Sequence, residues 1–416
     1  MRLSRVWKRL LDVERVVVES VDFDEVEDAF VVGVRPRAGA RSRCGHCGRV
    51  APGYDGGEGR RRWRGLDLGT TRVFLEAQAP RVECPAHGVT VAAVSWARHR
   101  SRFVTGFEDQ VAWLAKNTSK LAVTQLMRIT WRTVGSIITR VVAEAHARAD
   151  PLDGLRRIAI DEISVRKGHR YMTVVSCHDT GRLVWLAAGR SKATLAGFFD
   201  ALGRSRSWKL RLVTADGAEW ISSVVRARCM NARLALDPFH VVKWATDALD
   251  EVRRDVWNDA RRAGANAFAK ELKGSRFALW KNPDKLTERQ QAKLAWVATL
   301  NGPLYRAWLL KEELRQVFAL KGEDGIALLS HWLTWALRCR IPAFVKLARS
   351  IKANYLPALH DALRLKVSNA IAESTNTKLR VLMRVAFGYR DTGALIAMAM
   401  LARGGICPRL PGRAAA

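Results

Sequence analysis

Two short motifs restrict the N-terminal part of this chain more than any other feature. Cys44-Gly45-His46-Cys47 and Cys84-Pro85-Ala86-His87 each set two metal-binding side chains three residues apart. A turn this short lets both side chains converge on one ion. Two such turns complete the tetrahedral set of thiolate and imidazole that zinc prefers. The expected ligands are Cys44, Cys47, Cys84 and His87. Four protein ligands leave no open position, so the zinc is expected to be structural. His46 lies between the ligands of its own turn and is the expected bystander. Short strands are expected around residues 14–23, 29–34 and 71–78, with Gly- and Arg-rich connections between them. Such a region has a small core and needs a metal staple.

Charge restricts the partner. Lys and Arg number 70 against 40 Asp and Glu, a formal net charge of +30 in 416 residues. A compact chain this basic repels itself unless it meets a polyanion, and nucleic acid is the expected one. Hydrophobic residues make up 48%, enough to bury sizeable cores. The longest apolar run, residues 393–402, is about half of what a membrane span needs. No apolar core of signal-peptide type follows the N-terminus. The seven cysteines are scattered rather than packed into a disulfide framework. The expected setting is therefore cytoplasmic, at the nucleoid, with no membrane partner. Arg60-Arg61-Arg62 and Arg64, interleaved with Trp63, read either as a phosphate-binding loop or as a solvated basic face.

From residue 107 to 149 the pattern is helical. Ser119 is an expected N-cap, Arg128-Ile129-Thr130 a turn, and Thr130 the cap of a second helix over residues 131–142. Val134, Ile137, Ile138 and Val141 fall on one face, with Arg132, Ser136, Thr139 and Arg140 among the outward positions. Residues 119–142 hold Lys120, Arg128, Arg132 and Arg140 and no acid. That suits a helix-turn-helix, in which cations meet phosphates and short polar groups meet base edges; the alternative is an ordinary helical hairpin.

Pro151-Leu152-Asp153-Gly154 punctuates the chain. Three strands are expected next, at 158–163, 171–177 and 183–188, with turns at Lys167-Gly168 and Asp179-Thr180-Gly181. A helix (194–202), a strand (210–214), a helix (219–229) and a strand (232–236) follow, an α/β arrangement. Residues 241–359 show no strand and contain seven tryptophans: Trp244, Trp257, Trp280, Trp296, Trp308, Trp332 and Trp335. These are expected to pack between helices, with stacking on unpaired bases as the alternative. Residues 363–400 are again helical, with a break at Gly388.

Three carboxylates stand where metal chemistry would use them. Asp161 lies inside the apolar strand Ile158-Ala159-Ile160-Asp161-Glu162-Ile163. A carboxylate there is costly unless it binds something, and Glu162 points to the opposite face. Asp216 follows a strand, a common active-site position in α/β sheets, and Gly217 is expected to let the backbone turn sharply. Glu373 lies early in a helix and shares its face with Asn376, Thr377 and Arg380. Clustered carboxylates repel one another, and divalent cations remove the conflict.

The paired knuckles, the helix-turn-helix, Ile160-Asp161-Glu162, Asp237-Pro238-Phe239-His240-Val241-Val242, Ser368-Asn369 through Glu373 to Asn376-Thr377-Lys378, and Arg384-Val385-Ala386-Phe387-Gly388-Tyr389-Arg390 together resemble the ISL3 family of insertion-sequence transposases. The likeness covers nearly the whole chain. It implies a multidomain α/β protein: a zinc-binding β-rich domain (1–100), a helix-turn-helix (101–150), and an RNase H-like catalytic core (155–242 and 362–404) interrupted by an all-helical insertion (243–361), then a tail (405–416). It implies an Asp161–Asp216–Glu373 triad holding Mg²⁺ or Mn²⁺, double-stranded DNA as partner, and at least a dimer on two element ends. His87 stands where many relatives use Cys, an equally good zinc ligand. Asp237 also follows a strand, but Asp216 is preferred because its strand is expected beside that of Asp161. His240 is expected to pack, with positioning of substrate as the alternative. Lys378, Arg380 and Arg384 are expected to contact DNA backbone. The competing functions are a non-catalytic DNA-binding regulator and a simple metal-dependent nuclease.

Overall fold

The computed structural model describes residues 3–11, 13, 15–37, 42–166, 170–411 and 413. Two compact units emerge: Met1–Pro151 with Leu382–Ala416, and Leu152–Val381.

The first unit opens with helix α1 (Leu3–Leu10) and strands β1 (Val16–Asp24), β2 (Ala29–Pro36), β3 (Gly53–Asp55), β4 (Arg60–Arg64), β5 (Arg72–Gln78), β6 (Arg81–Cys84) and β7 (Gly88–Val91). One sheet has the order β1-β2-β5-β4, and a smaller one β3-β6-β7. Alternation along β5 turns Val73, Leu75 and Ala77 inward, where they meet Val16, Val32, Trp63 and Trp96. The smaller sheet has a core of five residues, two of them cysteines: Cys44, Ala51, Val82, Cys84 and Ala92.

The missing stability comes from the two knuckles. Cys44, Cys47, Cys84 and His87 bring their ligand atoms within 4.8 Å of one another. Cys47 Sγ lies 3.8 Å from Cys84 Sγ, and His87 Nδ1 lies 3.8 Å from Cys44 Sγ and 3.6 Å from Cys84 Sγ. A tetrahedron with Zn–S about 2.3 Å and Zn–N about 2.0–2.1 Å has edges of about 3.8 and about 3.5 Å, so this is a Cys₃His zinc site. Both knuckles close alike, with Gly48 (φ 68°) and Gly88 (φ 63°) in the left-handed region just after the last ligand. Burial raises the Cys44 thiol, but the N–H groups of Cys47 and His46 and the neighbouring thiols outweigh it and hold it below its ordinary value. His46 is outside the ligand set and stacks on His87, with ring centroids 5.0 Å apart.

Helices α2 (Thr105–Asn117), α3 (Lys120–Met127) and α4 (Trp131–Arg148) follow. Ser119 Oγ accepts from the Ala122 N–H and Thr130 Oγ1 from the Thr133 N–H, so both expected caps form. Arg128 turns the chain at φ 50°. Val134, Ile137, Ile138 and Val141 are buried.

The second unit is built on a five-stranded sheet. Its strands are β8 (Arg157–Arg166), β9 (Arg170–Cys177), β10 (Leu183–Ala188), β11 (Leu212–Ala215) and β12 (Arg233–Leu236), in the order β10-β9-β8-β11-β12. The first three pair antiparallel, while β8, β11 and β12 run parallel. The turn residues Lys167 and Gly168 lie outside the described residues; Asp179-Thr180-Gly181 joins β9 to β10. Helices α5 (Lys192–Leu202), α6 (Arg204–Ser207) and α7 (Glu219–Arg228) follow, and Leu195, Phe198, Ile221 and Val224 pack on Ile158, Ile160 and Val213.

No strand occurs among the described residues of the insertion. It comprises α8 (Pro238–Arg262), α9 (Asn266–Lys273), α10 (Arg276–Trp280), α11 (Glu288–Leu300), α12 (Gly302–Leu320), α13 (Gly322–Arg338), α14 (Pro342–Ser350), a π-helical turn (Ile351–Tyr355) and α15 (Leu356–Leu365). All seven tryptophans belong to its core. Trp308 and Trp332 are buried, and the other five pack against the same cluster. Trp332 Nε1 donates to the Leu310 carbonyl at 2.7 Å. Helix α16 (Ala370–Val385) returns to the sheet, and α17 (Thr392–Arg403) ends the helical part. Leu382–Ala416 clusters with the N-terminal residues, because the apolar α17 packs on α2 and α4. Among the described residues no helix is long and apolar enough to cross a membrane.

The zinc assignment predicts about one zinc per chain by elemental analysis. Cys84→Ser should lower that content and speed amide exchange across β3, β6 and β7, leaving β8–β12 protected. A full zinc complement in Cys84→Ser would contradict the assignment.

Candidate active site

Asp161 sits in β8, the middle strand of five. Neighbouring residues Ile160 and Ile163 are buried, and Asp161 itself is largely enclosed. β8 and β11 are in parallel register, with Leu212 beside Arg157, Val213 beside Ile158 and Thr214 beside Ala159. Asp216 directly follows β11, the strand beside β8. The consequence is electrostatic. Burial, opposed by the Glu162 N–H and reinforced by the charge of Asp216, pushes the Asp161 carboxyl up to about 6. Glu162 is pushed up to about 7, by burial first and Asp216 second, against the pull of Arg190. Its side chain pairs with Arg190 Nε at 2.8 Å.

The turn after β11 is held from the insertion. A Cβ at Gly217 would lie 2.1 Å from the Trp244 ring, and Tyr355 Oη donates to the Gly217 carbonyl at 3.1 Å. Glycine is needed here for close packing, not for the sharp turn expected from sequence. Asp216 Oδ1 accepts from the Ala218 N–H at 3.1 Å.

Two asparagines dock α16 onto the sheet. Asn369, buried just before the helix, donates from Nδ2 to the Ile160 carbonyl (3.1 Å) and accepts from Thr214 Oγ1 (2.8 Å). It thus ties β8 to β11 beside the two aspartates. Asn376 donates from Nδ2 to Asp161 Oδ2 (2.7 Å) and to the Glu162 carbonyl (3.1 Å). Glu373 lies between them on the same helix face, one turn before Asn376, and is exposed. Among the described residues, the zinc ligands are the only group of three or more His, Cys, Asp or Glu side chains placed to hold a metal ion, and Glu373 is not grouped with the aspartates. The helix is anchored while its carboxylate stands free.

Asp237 has a different role from Asp216. It is buried and caps α8, accepting from the Phe239 N–H (3.5 Å) and the Asn369 N–H (3.4 Å). Its Oδ2 lies 2.9 Å from His240 Nδ1. His240 is not a packing residue. The bond to Asp237 is the largest cause holding it above its ordinary value, against burial, and the charges of Asp216 and Asp161 add to it. Sequence reasoning assigned chemistry to Glu373 alone in its motif and missed Asn369. The signal was there: Asn369 and Asn376 are seven residues apart, two helical turns, on the face of Glu373.

The expected DNA-contacting residues separate by what they already bind. Arg61, Arg132, Ser136, Thr139, Lys378, Arg380 and Arg384 are exposed. Lys120 is half-buried, its ammonium 4.6 Å above the exposed Trp131 ring. Arg62 is divided between Glu76 (2.9 Å) and Asp24 (3.0 Å). Two of these residues already have partners inside the protein. Arg64 is buried, pairs with Asp67 at 2.9 Å and stacks on Phe107. Arg140 grips the fully buried Glu108 at 2.6 and 2.9 Å, alongside Arg98 and Ser101. Both arginines are thus already engaged by carboxylates within the fold.

Comparison with known proteins matches this layout. A family model described as "Transposase", of the ISL3 DDE type, covers residues 158–399. One described as "zinc-finger of transposase IS204/IS1001/IS1096/IS1165" covers residues 40–87. A third, "Helix-turn-helix domain of transposase family ISL3", covers residues 92–142. The chain is 53% identical to the transposase for insertion sequence element IS1557 of Mycobacterium tuberculosis, over 99% of this chain and 98% of the relative. It is 27% identical to the transposase for insertion sequence element IS1001 of Bordetella parapertussis, over 80% and 81%. The chain belongs to the ISL3 family of insertion-sequence transposases.

Proposed function

We propose that the chain binds the terminal inverted repeats of its own element and cuts and joins DNA there, at Asp161, Asp216 and Glu373 of an RNase H-like core. The observation that carries the reading is that Asp216 directly follows β11, the parallel neighbour of the strand holding Asp161, and its charge acts on Asp161, with α16 bonded directly to Asp161 one turn from Glu373. The donor set is all carboxylate oxygen, and burial first, with the Asp216 charge behind it, raises the Asp161 carboxyl, a cost that a cation would relieve. Asp161, Asp216 and Glu373 would hold Mg²⁺ or Mn²⁺, which would supply positive charge to the reacting oxygens of a phosphodiester.

The protein's own groups do the rest. The Glu162 N–H and Asn376 fix both oxygens of Asp161. Asp216 spends only one oxygen on its own turn. His240, its Nδ1 shared with Asp237, stands beside the carboxylates as a polar group able to face a phosphate. Arg61, Lys120, Arg132, Ser136 and Thr139 would contact end DNA, as would Lys378, Arg380 and Arg384. Arg62 contributes less, because two carboxylates already hold it. Joining two ends calls for at least a dimer, acting in the cytoplasm at the nucleoid.

A strand-transfer assay on duplexes carrying the element's ends, with Mg²⁺, tests this. Asp161→Asn, Asp216→Asn and Glu373→Gln should each reduce joining by at least about 100-fold with end binding intact. Joining at the native rate by Asp161→Asn would refute the triad; cutting without joining would indicate a nuclease.

Stability should also follow pH. The folded-state carboxyls of Asp161 and Glu162 lie above their unfolded values, so the folded protein binds more protons. Their contribution is therefore lost as pH rises from about 4 through about 7. Without divalent cation, thermal melting should show wild type losing more stability across this range than Asp161→Asn. Identical pH slopes in the two proteins would contradict the raised Asp161 carboxyl.

A further inference from the structure

The tryptophans of the insertion are committed to its core, and the aromatic the chain leaves most open lies elsewhere. Phe387 is fully exposed (101%). It ends α16 in a Schellman motif: the Gly388 N–H donates to the Met383 carbonyl (2.8 Å) and the Phe387 N–H to the Arg384 carbonyl (3.0 Å). This places Phe387 at φ 51°, where a helix end favours glycine and an L side chain is strained. The next residue, Gly388, is also left-handed, at φ 89°. Three residues beyond it, Asp391 caps α17 through the Gly393 and Ala394 N–H groups (3.1 and 2.8 Å). The tip is therefore pinned at both ends. A large apolar ring is presented to solvent at a position where folding would be better served by glycine.

Its surroundings identify what it meets. Arg384 and Arg390 flank it, both exposed, with no ion-pair partner among the described residues, and Val385 beside them is also exposed. From Ser374 to Arg390 the sequence contains four cations and no acid. An apolar ring between unpaired guanidinium groups complements a phosphate chain with bases attached. Bases within a paired duplex have their faces covered by neighbours, so the ring requires one that is unpaired. We propose that Phe387 stacks on an unpaired base of the DNA end while Arg384 and Arg390 hold the adjoining phosphates. This rests on the transposase reading and adds to it a base-stacking site outside the carboxylate cluster.

The test uses the full-length protein and two duplexes of the element-end sequence, one fully paired and one with a two-nucleotide bubble. Wild type should prefer the bubble by roughly 10-fold, about what one stacked base contributes. Phe387→Ala and Phe387→Gly should lose that preference and bind the paired duplex as wild type does. Phe387→Trp should keep it. Phe387→Gly should melt no lower than wild type, since glycine relieves the backbone. An unchanged bubble preference in Phe387→Ala and Phe387→Gly, or a wild type that binds both duplexes equally, would overturn the proposal. So would reduced self-association of Phe387→Ala without DNA, which would assign the ring to a second copy. Failure of wild type to bind either duplex would instead remove the underlying transposase reading.

Discussion

A carboxylate in the central strand of a buried sheet is the constraint from which the second unit is organised. Asp161 is flanked by apolar strand residues and feels the charge of Asp216, just past the end of the neighbouring parallel strand. Such an arrangement opposes folding, and the fold offsets it with hydrogen bonds rather than with a neutralising arginine. The Glu162 N–H and the Asn376 amide each take one oxygen of Asp161. Asn369 locks the two strands at the same level. Neutral donors orient the charge without cancelling it, which keeps it available to a cation.

The same separation of duties runs through the rest of the site. Asp237 has spent its oxygens on helix capping, Asn369 and His240, whereas Asp216 keeps one oxygen free. The insertion contributes a wall: Trp244 and Tyr355 fix the turn that carries Asp216, one by filling the space a side chain would need and one by a hydrogen bond. In the first unit the cations divide likewise. Arg64 and Arg140 are internal counter-ions, while Arg61 and Arg132 stay open to solvent.

Much of this was legible in the sequence because the signals are local. Knuckle spacing gives the zinc ligands, Ser119 and Thr130 cap the helices of the helix-turn-helix, and a lone Asp among isoleucines marks a strand under electrostatic strain. What was not legible depends on partners far along the chain. Arg140 reads as an outward cation until Glu108 is brought beneath it from α2. Gly217 reads as a turn residue until Trp244 is seen against it. His240 reads as core until Asp237 and the nearby carboxylates are placed around it. The grouping of α17 with α2 and α4 likewise rests on apolar surfaces that periodicity alone leaves unassigned.

The central claim is that the Asp161–Asp216 conflict exists to hold a divalent cation. Mn²⁺ binding to the zinc-loaded full-length protein at pH 8, followed by electron paramagnetic resonance, tests it most directly. The account predicts saturable binding in wild type that weakens at least about 10-fold in both Asp161→Asn and Asp216→Asn, and remains unchanged in Asp237→Asn if that variant keeps its fold. Equal Mn²⁺ affinity in wild type and Asp161→Asn would contradict it.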